Sequence, residues 1–276
     1  PLAGRLPKTL IGSALAIVDK FDTLTSYFAI GIEPTGDQDP FGLRRCAQGI
    51  VEVAWTIHRP LTVSALTTAS RVKPYLAERL YTFEWPPPAT ETAPSSLSRK
   101  CRGAVATRPP PRDVIEAVLS SPWDDLVDAM ERIVSLTRLG GAGAGFPSLH
   151  AGLRKAAKVI ERTRNILKGA TLTQAEVDPS RFQDPLEHQL WTRYQTHRDR
   201  LEQLMQRKSY AEATTLYGEA FYDPLHAFFD GVMVNVKEEA IQQNRLALMK
   251  TINTLYTDRV ADLSKLTILQ THEVTA

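Results

Sequence analysis

The sequence predicts an all-α protein. Apolar residues recur at helical three- and four-residue steps in one segment after another, and Asp39-Pro40 and Asp223-Pro224 each head a segment with a pair suited to a helix start. A hydrophobic content of 43% over 276 residues is enough for the core of one large domain or two modest ones.

The first helix is predicted over Lys8–Ile30, where Leu10, Ala14, Ile17, Phe21, Leu24 and Phe28 share a stripe. Ile11, Leu15 and Val18 widen it until most of the helix is apolar, which implies burial on several sides. Asp19, one turn after Leu15, is then expected to be partly buried. Ile32–Gln38 reads as a loop, and Pro40–His58 as a second helix carrying Phe41, Ile50, Val51, Ala54 and Trp55. Asp39 can accept hydrogen bonds from first-turn N–H groups, and Pro40 sits where a missing N–H costs nothing. Arg44 and Arg45 follow, where a phosphate or a carboxylate could be held. Leu61–Phe83 holds further helical turns, with Pro74 marking an interruption.

Glu84–Arg112 is of another kind. Pro86-Pro87-Pro88, Pro94-Ser95-Ser96 and Pro109-Pro110-Pro111 punctuate a stretch with few apolar residues, a composition that cannot offset chain entropy by burial. Disorder or an extended linker is expected there, whether as a natural insert or as out-of-frame coding sequence. Pattern returns at Asp113–Leu119 and at Asp124–Leu139. The glycines of Leu139–Gly145 lack the Gly-Lys-Ser/Thr ending of a phosphate cradle, so a hinge is the better reading.

Pro147–Gly169 is predicted as a helix with Leu149, Leu153, Ala156, Ile160, Thr163 and Leu167 on one seam and Gly169 as its stop. Arg154, Lys155, Lys158 and Arg162 project from the opposite face. Cations in a row suit a phosphate backbone, and the same row suits an ordinary solvated face; Glu161 beside it weakens the first reading. Beyond the Ala170–Pro185 connection, helices are expected over Pro185–Arg207, Tyr210–Phe221, Asp223–Val232 and Lys237–Leu263.

Composition excludes more than it selects. A net charge of +2 with pI near 8.6 means that any basic surface is local. Cys46 and Cys101 fit neither a disulfide framework nor a zinc site, and Cys46 in a helix interior favours an inert thiol despite its neighbour Arg45. Leu10–Val18 is too short to span a bilayer, so a soluble, reducing compartment is the default. The chain starts at Pro1 without an initiator Met, which suggests a fragment. For a metal centre, Asp19 has only His58 nearby, and the remaining histidines show no paired spacing. No metal site is therefore predicted, and Asp19 reads as a structural acid with Lys8 or Lys20 as its partner.

Two runs carry a resemblance. Val18-Asp19-Lys20-Phe21-Asp22-Thr23-Leu24 and Pro34-Thr35-Gly36, leading into Asp39-Pro40-Phe41-Gly42-Leu43-Arg44-Arg45, resemble the A-D-K-x-D-T-L and P-T-G-x-x-D-P-F-x-L-R-R segments of the beta subunit of bacterial-type, heterotetrameric glycyl-tRNA synthetase. Further matches follow in order. Arg162-Thr163-Arg164-Asn165-Ile166-Leu167 is similar to K-R-V-x-N-I-L, with Glu161 in place of the usual Lys. Phe228-Phe229-Asp230-Gly231-Val232-Met233-Val234 fits F-F-D-x-V-M-V. Asn244-Arg245-Leu246-Ala247-Leu248 fits N-R-L-x-L, and Ala261-Asp262-Leu263-Ser264-Lys265-Leu266 fits A-D-x-S-x-L. Only Glu84–Arg112 departs from the family in length and composition.

The resemblance implies an organisation. Residues 1–83 would be the end of a helical domain related to HD phosphohydrolases, with Asp19, Asp22, Asp39 and Pro40 as structural motif residues. Residues 84–112 would be a linker, 113–145 connecting helices and hinge, 146–269 a helical-bundle anticodon-binding domain of the arginyl-tRNA synthetase type, and 270–276 a tail. It also implies a cytoplasmic tRNA-binding region with no catalytic residues of its own. ATP with magnesium would be handled by a separate alpha subunit, and tRNA(Gly) and that subunit would be the partners in a heterotetramer away from any membrane. The residues expected to meet tRNA are Arg154, Lys155, Lys158, Arg162, Asn165, Arg245, Arg44 and Arg45, with Asn165, Arg245 and Tyr256 as candidates for contact with unpaired bases. The competing class is a non-catalytic helical interaction protein that kept the fold and lost the RNA role.

Overall fold

The computed structural model describes residues 6–34, 39–85, 109–140, 151–174 and 176–266. Among them are ten α-helices and no strand; one isolated antiparallel bridge joins Thr62 to Asp125. The all-α prediction holds. Glu84–Arg112 lies mostly outside the described residues, as do Gly141–Gly145 and the first residues of the helix expected from Pro147. The described chain divides into two compact units, one from 1–109 with 123–131 and the other from 110–122 with 132–276.

In the first unit, α1 (Leu10–Ala29) packs on α2 (Leu43–Ile57), and α4 (Val72–Leu80) packs on α2 in turn. Thr9 starts α1 by accepting the Gly12 N–H at 3.1 Å. Ile17, Phe21, Leu24 and Phe28 form its buried stripe as predicted, and Phe28 meets Tyr75 edge-on at 5.2 Å. The wider burial does not occur. Ile11 is 75% exposed, Leu15 67% and Val18 54%, all on the side of α1 away from α2, and Asp19 is exposed beside them. The apolar character of that face was legible; that no described element covers it was not.

The start of α2 also differs from expectation. Pro40 lies in a turn, and Gly42 occupies the cap position with φ +68°, in the left-handed region that suits glycine. Asp39 still caps the helix, from further upstream: its carboxylate accepts the N–H groups of Leu43 at 2.7 Å and Arg44 at 3.1 Å. Pro74 does not interrupt anything. It sits in the first turn of α4, where its missing N–H has no intrahelical partner to lose. A short helix, α3 (Val63–Leu66), is held by the acidic pair before α6 (Leu126–Leu139). Asp124 accepts the Ser64 N–H at 3.1 Å, while Asp125 accepts the N–H groups of Leu61 and of Val127, both at 3.0 Å.

In the second unit α7 (Ala151–Leu167) packs against α9 (Tyr210–Gly231), α8 (Pro185–Gln206) packs on α9, and α10 (Glu239–Thr257) packs on α7. Helix α7 ends at the predicted Gly169, whose φ is +79°. Helices α7 and α9 meet through glycines: a Cβ on Gly218 would stand 2.4 Å from the Gly152 carbonyl oxygen. Tyr217 donates its hydroxyl to the Ile252 carbonyl at 2.9 Å and lies 4.9 Å from the ring of Tyr256, whose hydroxyl is 2.6 Å from Thr214 Oγ1. Burial pushes both phenols above their ordinary pKa, so they stay neutral donors in the core.

Asp223-Pro224 does not open a helix. Helix α9 runs straight through Pro224, because Tyr217, Phe221, Leu225 and Phe228 keep one buried stripe across it. That burial outweighs the roughly 3 kcal/mol a proline costs inside a helix. The 171–184 connection is pinned to α10 by two amides. Gln243 accepts the Thr173 N–H at 2.9 Å, and Asn244 accepts the Asp178 N–H at 2.8 Å while donating to the Asp178 carbonyl at 2.9 Å. After α10 the chain returns to α5 (Arg112–Leu119), where the Asp262 N–H reaches the Ala117 carbonyl at 2.8 Å.

Candidate nucleic-acid interface

The basic row of α7 exists, and much of it is already engaged. Lys155 Nζ lies 3.7 Å from the Asp223 carboxylate and 5.6 Å from the centre of the Tyr222 ring. Lys158 donates to Glu161 at 2.9 Å, one turn along the same helix. Arg162 sets its guanidinium against both ring nitrogens of His226, at 3.0 and 3.2 Å. Three of the four cations are thus engaged, two of them by α9, in contacts that a phosphate would have to share or displace. Arg154 and Asn165 are exposed. Arg164, not anticipated, pairs with Asp262 and donates to Ser264 Oγ at 2.7 Å, fastening α7 to the turn after α10.

Two residues expected at unpaired bases point inward instead. Tyr256 is fully buried, its hydroxyl held by Thr214, and presents no ring face to solvent. Arg245 is buried against Glu187, with Nε 3.0 Å from Oε1 and Nη2 3.3 Å from Oε2, and Nη1 donates to the Met233 carbonyl at 2.8 Å. A guanidinium with its donors so placed holds the fold. The sequence shows an arginine; only the packing shows that a carboxylate one helix away was waiting for it.

The same carboxylate completes a capping box. Asp184 accepts the Leu186 N–H at 2.8 Å, and Glu187 reaches back to the Asp184 and Gln183 N–H groups, both at 2.9 Å. Burial raises the Glu187 carboxyl; the hydrogen bonds from Arg245 and from those two N–H groups, with the Arg245 charge, outweigh it and leave the group below its ordinary pKa.

Arg44 and Arg45 belong to the other unit. Arg44 is half-buried and Arg45 exposed, with the Arg45 side chain folded back over Gly42, where an added Cβ would meet Nη2 at 2.9 Å. Asp19 makes no ion pair with a described residue, and Lys20, its expected partner, lies instead over Gly49. Asp22 is exposed nearby. His58 is half-buried, its Nε2 2.7 Å from Glu131. Among the described residues no group of three His, Cys, Asp or Glu side chains converges as a metal site would. Burial pushes the half-buried Cys46 thiol above its ordinary pKa, which makes it a poor nucleophile.

The sequence predicts α8 as a helix over Pro185–Arg207 but does not single out its exposed surface. Arg193, Arg198, Arg200 and Arg207 are all exposed along it or at its end, and Trp191 stacks on Tyr194 with ring centres 5.0 Å apart and planes 17° from parallel. The signal is present as Trp191-Thr192-Arg193-Tyr194, aromatic residues interleaved with arginine.

Comparison with known proteins falls on this architecture. A family model described as glycyl-tRNA synthetase beta subunit matches residues 2–120, and one described as DALR anticodon binding domain matches residues 158–258, from α7 through α10. The chain is 33% identical to the glycine–tRNA ligase beta subunit of Syntrophotalea carbinolica over 95% of its own length and 36% of that protein's. The subunit of Desulforudis audaxviator gives 33% over 96% and 36%, and that of Bacillus subtilis 30% over 90% and 33%. The chain thus spans about a third of the length of the relatives it matches. Among the described residues no helix is long and apolar enough to cross a membrane.

Proposed function

We propose, for a chain that belongs to the glycyl-tRNA synthetase beta-subunit family and corresponds to its C-terminal portion, a tRNA-binding role in the attachment of glycine to tRNA(Gly). On this reading residues 146–269 bind tRNA, and the first unit is the end of an HD-related helical domain. ATP and magnesium are handled by a separate alpha subunit in a cytoplasmic heterotetramer, and this chain supplies no reacting group.

One observation carries the proposal: the two family matches fall in order on one chain, and the anticodon-binding match coincides with the α7–α10 bundle. The charge balance supports a modest, phosphate-led affinity. With a net charge of +2 the cations are local, so binding should fall steeply as salt displaces them. The alternative of a helical interaction protein without an RNA role has no observation in its favour.

The test is direct binding of a tRNA(Gly) transcript to the purified chain across roughly 50 to 200 mM salt. Saturable binding that weakens with salt, and is weaker for a transcript with altered anticodon bases, is the expected result. Absence of binding to any tRNA at the lowest salt would overturn the proposal.

A further inference from the structure

We infer that one flank of α8 is a stacking platform for unpaired bases of single-stranded RNA; this rests on the tRNA-binding role proposed above. Residues 188, 191, 195, 198 and 202 follow one another at three- and four-residue steps and so share a single stripe of the helix. Three planar groups succeed one another along it. His188 meets Phe182 edge-on with ring centres 5.0 Å apart, Trp191 stacks on Tyr194 at the same distance, and Arg198 follows beside Tyr194. From His188 to Arg198 the stripe runs about 15 Å at the helical rise. Beyond it the acid Glu202 faces Arg259 at 3.8 Å, and the Arg198 charge is shared with Asp199 at 3.0 Å.

The chemistry of the flank suits unpaired bases. Phe182, Trp191 and Tyr194 are half-buried and His188 is exposed, so each ring is held in place while part of it stays open to solvent. Rings held this way beside a guanidinium accept any base face, and stacking of this kind contributes a sequence-tolerant part of single-strand binding. Among the described residues, none of the exposed large hydrophobic side chains lies on α8. Planar faces and cations of this kind also mark protein interfaces, and it is the tRNA-binding role proposed above that selects unpaired bases as the occupant. The flank also supplies what the α7 row lacks, because Tyr256 and Arg245 are buried and cannot reach a base.

The experiment compares binding of an anticodon stem–loop of tRNA(Gly), and of a duplex with the same stem and no loop, to the parent chain and to Trp191→Ala, Trp191→Leu, Trp191→Phe and Arg198→Ala. Trp191→Leu keeps apolar volume while removing the π-face, so a loss it shares with Trp191→Ala is not a packing defect; melting curves check the fold of each. The expected result is a roughly 5- to 150-fold loss of stem–loop affinity for the Ala and Leu variants, with Phe near the parent and duplex binding unchanged. The salt slope should stay constant in the Trp191 variants and fall by about one ion in Arg198→Ala. Parent-like stem–loop binding by folded Trp191→Ala and Trp191→Leu would overturn the platform while leaving tRNA binding in place. Loss of alpha-subunit binding with RNA binding intact would also overturn it, making the flank a protein contact. Failure of the parent chain to bind any tRNA would remove the underlying reading as well.

Discussion

Glu187 and Arg245 form a buried ion pair that joins the first turn of α8 to α10: Oε1 accepts the Arg245 Nε–H at 3.0 Å while Oε2 serves the N–H groups ahead of the helix. The Glu187 side chain is 0% exposed and that of Arg245 7%. One carboxylate therefore acts both as the reciprocal half of a capping box and as the counter-charge of a buried guanidinium.

Glu187→Gln should destabilise the chain by about 3–5 kcal/mol, because it leaves Arg245 charged, buried and without a counter-charge. Replacing both residues with apolar side chains of similar volume should cost less than the single change. Urea unfolding of the single and double variants measures both. A single variant within about 0.5 kcal/mol of the parent would show that the pair contributes nothing to the fold.

The same carboxyl sets a pH dependence. Its folded pKa is depressed, so its contribution to stability is fully present above the unfolded value near 4.3 and is lost as pH falls through the folded value. Unfolding free energy measured from about pH 6 down to pH 3 should fall more steeply for the parent than for Glu187→Gln, with the difference confined to the acid side of about pH 4.3. Parallel curves through that window would contradict the linkage.

Gly218→Ala should lower the melting temperature even though alanine is the better helix former. The added Cβ would stand 2.4 Å from the Gly152 carbonyl oxygen and 2.8 Å from the Ala156 nitrogen, both main-chain atoms that no rotamer change can move away. Overpacking of this kind typically costs about 1–3 kcal/mol. Gly169→Ala serves as a comparison: nothing lies within 4 Å of its Cβ position, so its cost comes from φ +79° alone.

Asp39→Ala should cost about 1 kcal/mol through loss of two accepted N–H bonds at the start of α2. Pro40→Ala should change stability by less, since Pro40 lies in the preceding turn. Thermal melts of the two variants decide between this geometry and the simpler one in which Pro40 is the first helical residue.

Helix existence was legible where apolar stripes were long, as along Ile17–Phe28 or Leu153–Thr163, because burial of one face is what stabilises such helices. Local chemistry misled where tertiary contact decided the outcome. Asp223-Pro224 carries the signature of a helix start, yet the buried stripe of α9 passes through it; Asp39-Pro40 carries the same signature, and the chain inserts a turn before the helix begins. Surface roles were the least legible. A sequence marks Arg245 and Arg193 alike as cations, and only packing places one against Glu187 and leaves the other in water.

The bare side of α1 has a consequence for how the chain behaves in solution. Ile11, Leu15 and Val18 offer aliphatic surface to any similar surface they meet. Salts excluded from protein surfaces, such as sulfate, strengthen that attraction, whereas the phosphate contacts proposed for the bundle would weaken as salt is added. Salt would thus act on one chain with opposite signs at two surfaces. On the proposed RNA-binding role, a sulfate concentration that weakens RNA binding should also strengthen any attraction between exposed α1 faces.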